Sequence, residues 1–278
     1  MAQTVSLPGN VCVPALGQGT WYMGDEKSKK AEEIKALQTG IDLGMTVIDT
    51  AEMYGNGRSE QLVGEAIAGR RDAVFLVSKV LPSNASRKGT VAACERSLQR
   101  LKTEAIDLYL LHWEGQYSFE ETIAGMQDLL AQGKIKSWGV SNMDVAEMEE
   151  FYSLPKGNTC AVNQVLYNLS RRGIEFDLLP WCGKKSLAVM AYSPVEQGRI
   201  LRDKTIAHVA KRHDATPAQV ALAWVLRIPG ILAIPKAGTV AHVEENAACM
   251  NLKLTAEDYA ELDAAFPAPT RKRSLEML

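Results

Sequence analysis

Two kinds of segment alternate along the chain, and they differ in their hydrophobic pattern. Short apolar runs, rich in β-branched residues and without clean alternation, are typical of strands that are buried on both faces of a parallel sheet. These runs lie at 45–50, 73–79, 105–112, 135–142, 159–164, 186–192 and 231–236, with a weaker first strand at 13–20. The pattern predicts eight parallel strands.

Between the strands, apolar residues recur with the period of an amphipathic helix. Ser118 with Glu121, and Thr216 with Gln219, have the spacing of capping boxes, and Gly133 follows one helix as a stop signal. Helices are predicted near 28–43, 59–68, 87–101, 118–133, 144–152, 173–184, 216–226 and 240–250, with a terminal one near 255–265.

Regular alternation of strand and helix predicts an α/β fold with crossover helices. Eight units in about 250 residues fit a closed (β/α)8 barrel, the TIM barrel, better than an open doubly wound sheet. A doubly wound dinucleotide fold would carry Gly-x-Gly-x-x-Gly after its first strand, whereas Tyr22 stands at the third glycine position after Gly17 and Gly19. No long linker divides the chain, so residues 1–278 are predicted to form one barrel domain with a short extra helix and tail at the C-terminus.

Composition narrows the function classes. The net charge of -2 and the pI near 6.1 give no general attraction to nucleic acid or to an anionic membrane. No stretch approaches the roughly 20 apolar residues of a membrane helix, and the first residues do not resemble a signal peptide. The five cysteines are scattered without a C-x-x-C pair, and the histidines lack metal-ligand spacing. We therefore expect a cytosolic protein without a metal site.

Polar side chains end seven of the predicted strands. Catalytic groups of this fold cluster at the carboxyl ends of the strands, so one pocket would gather all seven. Loops usually supply Gly, Asp, Ser and Asn rather than Lys, His, Gln and Tyr, so loop polarity alone does not explain the set. The residues are Asp49, Lys79, His112, Asn142, Gln164, Tyr192 and Lys236.

Four residues of this pocket could form an acid catalyst. Tyrosine has an ordinary pKa near 10, and an ammonium group beside the phenol is expected to lower the pKa of Tyr54. Lys79 would supply that ammonium group, and Asp49 would keep it charged. His112 could orient a carbonyl oxygen or assist the proton transfer. The set would protonate an oxygen that gains electron density, as a general acid does.

Eight segments together resemble the signature blocks of the aldo-keto reductases, in the same order. They are GQGTW, VIDTAEMYGNGRSE, VSK, LYLLHW, GKIKSWGVSN, VNQVLYN, AYSP and IPK. The resemblance runs from about residue 5 to residue 272 and is nearest to the short bacterial reductases of methylglyoxal and similar aldehydes. It implies NADPH-dependent reduction of small aldehydes and dicarbonyls to alcohols, by hydride transfer from the nicotinamide with Tyr54 as general acid.

The resemblance also implies a role for each matching residue. The catalytic tetrad would be Asp49, Tyr54, Lys79 and His112, while Trp21 and Trp113 would wall the substrate pocket beside Tyr54 and His112. The nicotinamide would be held by Ser141, Asn142 and Gln164 and would stack on Tyr192. The other cofactor contacts would be Gly19, Thr20, Trp21, Asp49, Ser193, Pro194, Lys236, Thr239, His242, Glu245 and Asn246. The partner would be a small carbonyl compound, no metal is implied, and the family's default state is a monomer.

Three positions depart from the family pattern. Glu114 follows Trp113 where the family often has proline, and Ala237 stands where it often has serine. His242 replaces an arginine that binds the 2′-phosphate of the cofactor, and imidazole cannot give the bidentate grip of a guanidinium group. Because Lys236 remains, NADPH is the expected cofactor and NADH a weaker alternative.

The other tryptophans, Tyr22 and two alternative functions also bear on this interpretation. Trp138, Trp181 and Trp224 lie inside strand or helix patterns and are expected to pack in the core, whereas Tyr22 fits either the core or the pocket rim. A regulatory barrel that binds a nicotinamide cofactor without turnover is one alternative, since potassium-channel β subunits also resemble this family. A lyase or isomerase that uses Lys79 as a Schiff base is another, although it leaves Tyr54 without a role.

Overall fold

The computed structural model describes residues 3–278. Its strands are β1 (Thr4–Leu7), β2 (Val11–Pro14), β3 (Gln18–Gly19), β4 (Val47–Asp49), β5 (Phe75–Val80), β6 (Ile106–Leu111), β7 (Ile135–Ser141), β8 (Val162–Leu166), β9 (Ala188–Tyr192) and β10 (Ile231–Ala233). Its α-helices are α1 (Lys30–Asp42), α2 (Arg58–Ala66), α3 (Arg87–Leu101), α4 (Phe119–Ala131), α5 (Val145–Ser153), α6 (Leu178–Lys185), α7 (Lys204–Arg212), α8 (Pro217–Val225), α9 (Val240–Ala248) and α10 (Ala256–Ala265).

Strands β3 to β10 form one parallel sheet in which every strand pairs with its neighbour in the sequence. Parallel bridges from Leu16 to Ala233 and from Gly19 to Lys236 join the first strand to the last. The close approach at this seam requires glycine, because a Cβ at Gly19 would lie 2.8 Å from the carbonyl oxygen of Ile234. The eight-stranded (β/α)8 barrel predicted from the sequence is confirmed.

The predicted first strand at 13–20 is only partly correct. Val11–Pro14 pairs antiparallel with Thr4–Leu7 in a hairpin, and only Gln18–Gly19 belongs to the barrel as β3. Val5 and Leu7 of this hairpin are buried and share a small apolar cavity with barrel residues such as Val47 and Phe75, which lie at the starts of β4 and β5. The hairpin thus covers the amino-terminal end of the barrel, away from the strand ends that carry the predicted site.

The helices follow the predicted segments with two corrections. Thr216 and Gln219 form the expected capping box of α8, but Ser118 makes no side-chain cap at α4. Glu121 instead accepts a hydrogen bond at 3.0 Å from the backbone N–H of Arg87, at the start of α3. Helix α7 was not predicted at all, and Asp203 caps it by accepting from two backbone N–H groups.

The aromatic residues expected in the core are placed there to different degrees. Trp138 and Trp224 are buried, whereas Trp181 is half-buried and packs edge-on against Tyr152. Within residues 3–278, no helix has both the length and the apolar character needed to cross a bilayer.

Beyond α10, a C-terminal segment (residues 267–278) crosses the rim of the barrel. Lys272 forms ion pairs of 3.1 Å with Asp144 and 3.0 Å with Asp177. Further along, Glu276 pairs with Arg171 at 2.6 Å. These contacts order the segment over the carboxyl ends of the strands, a position that the sequence left undecided.

Candidate active site

A cavity of about 640 Å³ opens at the carboxyl ends of the barrel strands. Its volume lies within the range of small-molecule and cofactor sites. The predicted site residues that line it are Gly19, Thr20, Trp21, Asp49, Tyr54, His112, Trp113, Ser141, Asn142, Gln164, Tyr192, Ser193, Pro194, Lys236, His242, Glu245 and Asn246. Two others lie outside the lining: Lys79 is buried behind Tyr54, and Thr239 caps helix α9.

Tyr54 reaches this cavity through a tight turn after β4. The backbone turns at Gly55, Asn56 and Gly57, all with positive φ angles (56°, 53° and 88°), before α2 begins at Arg58. Positive φ is readily adopted by glycine and, among other residues, most often by asparagine or aspartate. The Tyr-Gly-Asn-Gly sequence therefore allows the chain to reverse here while Tyr54 lines the cavity.

Lys79 joins Tyr54 and Asp49 into one hydrogen-bonded group. Its ammonium group donates to Asp49 Oδ2 at 2.7 Å, to the Thr50 carbonyl at 2.9 Å and to the Tyr54 hydroxyl at 3.1 Å. An ammonium group has three protons, and these three bonds use all of them. Lys79, whose side chain is fully buried, can therefore act on a reacting molecule only through its neighbours.

The protonation states of this group differ in one respect from the expectation. Burial raises the pKa of Tyr54, and the opposing effect of Lys79 does not cancel it, so the prediction of a lowered pKa is wrong for the cavity as it stands. Burial works against the charge on Lys79, but Asp49 and Tyr54 outweigh it and raise the pKa of that ammonium group. Burial also raises the pKa of Asp49, against the attraction of Lys79. Tyr54 is accordingly a neutral phenol beside a charged lysine.

His112 lies on the cavity wall as a neutral imidazole. Burial, followed by the charge of Lys79, lowers the pKa of His112 to about 2. Its ring meets the Tyr54 ring edge-on, with centroids 5.8 Å apart. Its Nδ1 is buried without a hydrogen-bond partner among the described residues, so a proton on that atom would be costly and is better assigned to Nε2. A neutral His112 can donate one hydrogen bond, a property that suits orienting an oxygen, one of the two roles left open by the sequence.

The amide and hydroxyl groups predicted to hold the nicotinamide form a second connected set. Gln164 donates to Asp49 Oδ1 at 2.8 Å, and Ser141 Oγ donates to the Gln164 carbonyl at 2.8 Å. Asn142 adopts a left-handed conformation (φ 57°) and accepts a hydrogen bond from the Tyr192 hydroxyl at 3.0 Å. The carboxylate of Asp49 thus links this set directly to Lys79.

Another part of the cavity lining carries an exposed lysine. Lys236 is exposed, and a Cβ built on Gly238 would lie 3.1 Å from its Nζ, which places this charge close to the start of α9. Thr239 accepts the His242 backbone N–H at 3.3 Å as the helix cap, and the exposed His242 side chain lines the cavity one turn later. A helix N-terminus beside a lysine suits an anionic group.

Aromatic residues form a further part of the cavity wall. The Trp21 and Tyr22 rings stack with centroids 4.6 Å apart, and the Trp21 and Tyr54 centroids lie 6.4 Å apart. Tyr22 is exposed and has a φ of 66°, an uncommon conformation for a bulky residue. Trp113 completes this wall beside His112, with ring centroids 4.7 Å apart. The structure therefore assigns Tyr22 to the pocket rim.

Several lining residues were not found from the sequence. Most are apolar or follow β9, where no polar strand-end signal marks them: Met53, Val195, Gln197, Gly198, Leu201, Ala218, Ile234, Met277 and Leu278. The last two belong to the C-terminal segment, whose course depends on ion pairs with distant residues. Among residues 3–278, no cluster of three His, Cys, Asp or Glu side chains could hold a metal ion.

Known proteins that are similar to this chain share its fold. The sequence model described as the Aldo/keto reductase family matches residues 15–266. Methylglyoxal reductase YeaE of Escherichia coli (strain K12) is 53% identical over 279 residues, which cover 99% of this chain and 98% of the relative. Glyoxal reductase of Bacillus subtilis (strain 168) is 31% identical over 264 residues, which cover 95% of this chain and 93% of the relative. A crystal structure of an aldo/keto reductase from Klebsiella pneumoniae, in complex with NADP and acetate, is 49% identical with a TM-score of 0.97, and 100% of each chain is covered.

Proposed function

The chain belongs to the aldo/keto reductase family, and on that premise we propose that it uses NADPH to reduce small aldehydes and dicarbonyls, with Tyr54 as the proton donor. The observation that carries the proposal is the bonded group of Tyr54, Lys79 and Asp49 at the wall of one cavity. A phenol held against a fully paired ammonium group suits proton donation and has no evident structural purpose.

The donor set of the cavity fits NADPH. Ser141, Asn142 and Gln164 offer the hydroxyl and amide groups that a carboxamide can bond, and Tyr192 offers an aromatic surface beside them. Lys236 with the start of α9 offers a positive site for the 2′-phosphate at the other end. When bound, the reduced nicotinamide supplies a hydride to the carbonyl carbon.

The proton step then falls to residues of this chain. The carbonyl oxygen gains the electron pair of its double bond, and Tyr54 donates its proton to that oxygen, which leaves an alcohol and a phenolate. Lys79, 3.1 Å from the phenol oxygen, stabilises the phenolate until a proton from solvent restores it. Neutral His112 donates a hydrogen bond that orients the oxygen towards Tyr54. A neutral imidazole is a much weaker acid than an imidazolium ion, which favours Tyr54 as the proton donor.

The wall at the substrate end indicates which carbonyl compounds fit. Trp21, Tyr22 and Trp113 line the cavity, as do Met277 and Leu278 of the C-terminal segment, and none of these five side chains is charged. A small neutral aldehyde or dicarbonyl matches such a wall, in line with the methylglyoxal and glyoxal reductases to which the chain is similar. A bulky ketosteroid would have to displace the C-terminal segment.

Three further expectations belong to the proposal. Residues 1–278 act as one barrel domain, and the protein works as a monomer, whose mass in solution can be measured by light scattering. The working compartment is the cytosol, since Cys94, Cys160, Cys182 and Cys249 are buried free thiols and no disulfide is formed among the described residues.

The proposal is tested by Tyr54→Phe. Turnover of methylglyoxal, followed by NADPH absorbance, should fall by about 10²–10⁴-fold, the usual contribution of a positioned acid. NADPH affinity, measured by fluorescence, should stay close to that of the parent, because the nicotinamide contacts lie on other residues. Tyr152→Phe is the matched control, since it removes a phenol hydroxyl from a residue that packs on Trp181 outside the cavity lining and should leave turnover nearly unchanged. Retention of most activity by Tyr54→Phe would refute the assignment of the acid.

A further inference from the structure

One guanidinium group joins two separate segments of the chain that border the cavity. Arg171 donates from Nε at 3.1 Å and from Nη2 at 3.0 Å to Oε1 of Glu196. Its third contact runs from Nη1 to Glu276 at 2.6 Å. Glu196 belongs to the cofactor segment, defined here as residues 192–198, and Glu276 to the C-terminal segment. Both segments contribute lining residues to the cavity, so Arg171 physically connects them.

The cofactor segment is held in a strained conformation by this connection. Ser193, Glu196 and Gln197 have φ angles of 47°, 49° and 54°, which non-glycine residues adopt only when their surroundings hold them there. The Glu196 side chain is only 4% exposed. Besides Arg171, it accepts hydrogen bonds from Arg199 at 2.9 Å and from Asn168 at 2.8 Å, and Asn168 also donates to the Ser193 carbonyl at 2.9 Å. These bonds offset the strain.

The same bonds set the direction of the guanidinium group. Glu196 takes two of the donors of Arg171, which leaves Nη1 directed at Glu276. If the cofactor segment moved, Glu196 would move with it and Arg171 would lose this orientation. Met277 and Leu278, which follow Glu276, line the cavity. The substrate wall therefore depends on the contact between Arg171 and Glu276, and the cofactor segment orients that contact.

We propose that Arg171 is a positioning residue that couples the two segments, so that a nicotinamide dinucleotide bound against residues 192–198 steadies Met277 and Leu278 as the substrate wall. The inference rests on the proposed function, because it takes that dinucleotide as the occupant of the cavity. Of the residues involved, Glu276, Met277 and Leu278 lie beyond residue 266, where the match to the family model ends. Coupling of this kind is reciprocal: whatever steadies the C-terminal segment also tightens the cofactor segment.

Hydrogen exchange of residues 272–278, with and without saturating NADP⁺, tests the coupling. In the parent protein, NADP⁺ should slow exchange of this segment by about threefold, the scale of a half-exposed ion pair. Glu276→Gln should remove that slowing while NADP⁺ still binds. It should also raise the KM for methylglyoxal by about threefold, with little change in kcat, because it loosens the wall without touching the acid.

Lys272→Met is the matched control. Lys272 anchors the same segment to Asp144 and Asp177, neither of which belongs to the cofactor segment. In this variant, residues 272–278 should exchange hydrogen faster than in the parent, both with and without NADP⁺. The ratio of the exchange rates without and with NADP⁺ should equal that of the parent. The inference is overturned if NADP⁺ binds the parent without slowing exchange, or if Glu276→Gln keeps the parent's ratio. Failure of the parent to bind NADP⁺ would overturn the proposed function and the inference with it.

Discussion

Replacement of Lys79 by methionine tests how the buried lysine makes Tyr54 an acid. The ammonium nitrogen lies 3.1 Å from the phenol oxygen. At an effective dielectric constant of about 20, a unit positive charge at that separation stabilises a phenolate by about 5 kcal/mol. This corresponds to about four pKa units. Without Lys79, the pKa of Tyr54, already raised by burial, should rise further, and kcat/KM for methylglyoxal should fall by about 10²–10⁴-fold.

The single variant also leaves the buried Asp49 without its partner, which destabilises a protein by about 3–5 kcal/mol. The combined variant Asp49→Asn with Lys79→Met avoids that buried charge and preserves a similar shape. Both proteins should be assayed for NADPH oxidation over a range of pH, with NADPH affinity measured by fluorescence. A folded combined variant with normal kcat at pH 7 would contradict the coupling between Lys79 and Tyr54.

A double-mutant cycle separates this coupling from a general loss of structure. All three protons of Lys79 are already engaged, so Lys79 should act on the substrate only through Tyr54. Adding Lys79→Met to Tyr54→Phe should therefore reduce turnover little beyond Tyr54→Phe alone, a strongly non-additive result. Independent, multiplying losses would show that Lys79 has a second role, such as direct contact with the substrate.

Three further predictions concern histidine and aspartate side chains. His242→Arg should tighten NADPH binding by about 1–2 kcal/mol, roughly fivefold to thirtyfold, as measured by fluorescence titration; equal affinities would mean that Lys236 alone serves the 2′-phosphate. Because burial lowers the pKa of His112 to about 2, kcat/KM should show no histidine titration step between about pH 5 and pH 8. Burial acts to raise the pKa of Asp258, but hydrogen bonds from the Thr255 N–H and His213 outweigh burial and lower that pKa. The ionised Asp258 therefore stabilises the folded protein above about pH 3.9, and this stabilisation is lost as pH falls through the lowered pKa. Asp258→Asn should therefore destabilise the protein by about 1–3 kcal/mol at pH 7, and its Tm should approach the parent's as pH falls through the lowered pKa of Asp258.

The strands were predictable wherever they are long and apolar. Residues 73–79 and 105–112 form β5 and β6 within two residues at each end, because both strands are buried on both faces. The first barrel strand was not predictable in this way, since β3 spans only Gln18–Gly19. The more strand-like Val11–Pro14 pairs with Thr4–Leu7 in the hairpin instead. Local propensity cannot distinguish a barrel strand from a hairpin strand of the same composition.

The site was predictable to the extent that its residues are polar at strand ends. Asp49, Lys79 and Gln164 stand out in apolar surroundings, and the barrel brings them into one hydrogen-bonded group. The apolar wall had no such signal, because Met277 or Leu278 in a sequence is indistinguishable from an ordinary surface or core residue. Their segment is anchored by contacts such as the ion pair between Arg171 and Glu276, which lie 105 residues apart in the chain, and such a pairing has no local pattern.

The buried pair of Lys79 and Asp49 is better explained by chemistry than by stability. Their side chains are 0% and 3% exposed, and removing two such charges from water is about as unfavourable as their attraction is favourable. Apolar or neutral residues of similar volume are often as stable at such a position, or more so. Asp49→Asn combined with Lys79→Met should consequently unfold at a Tm equal to or above that of the parent while losing turnover. A large fall in Tm for that variant would show that the pair holds the barrel together, and its place beside Tyr54 would then need another explanation.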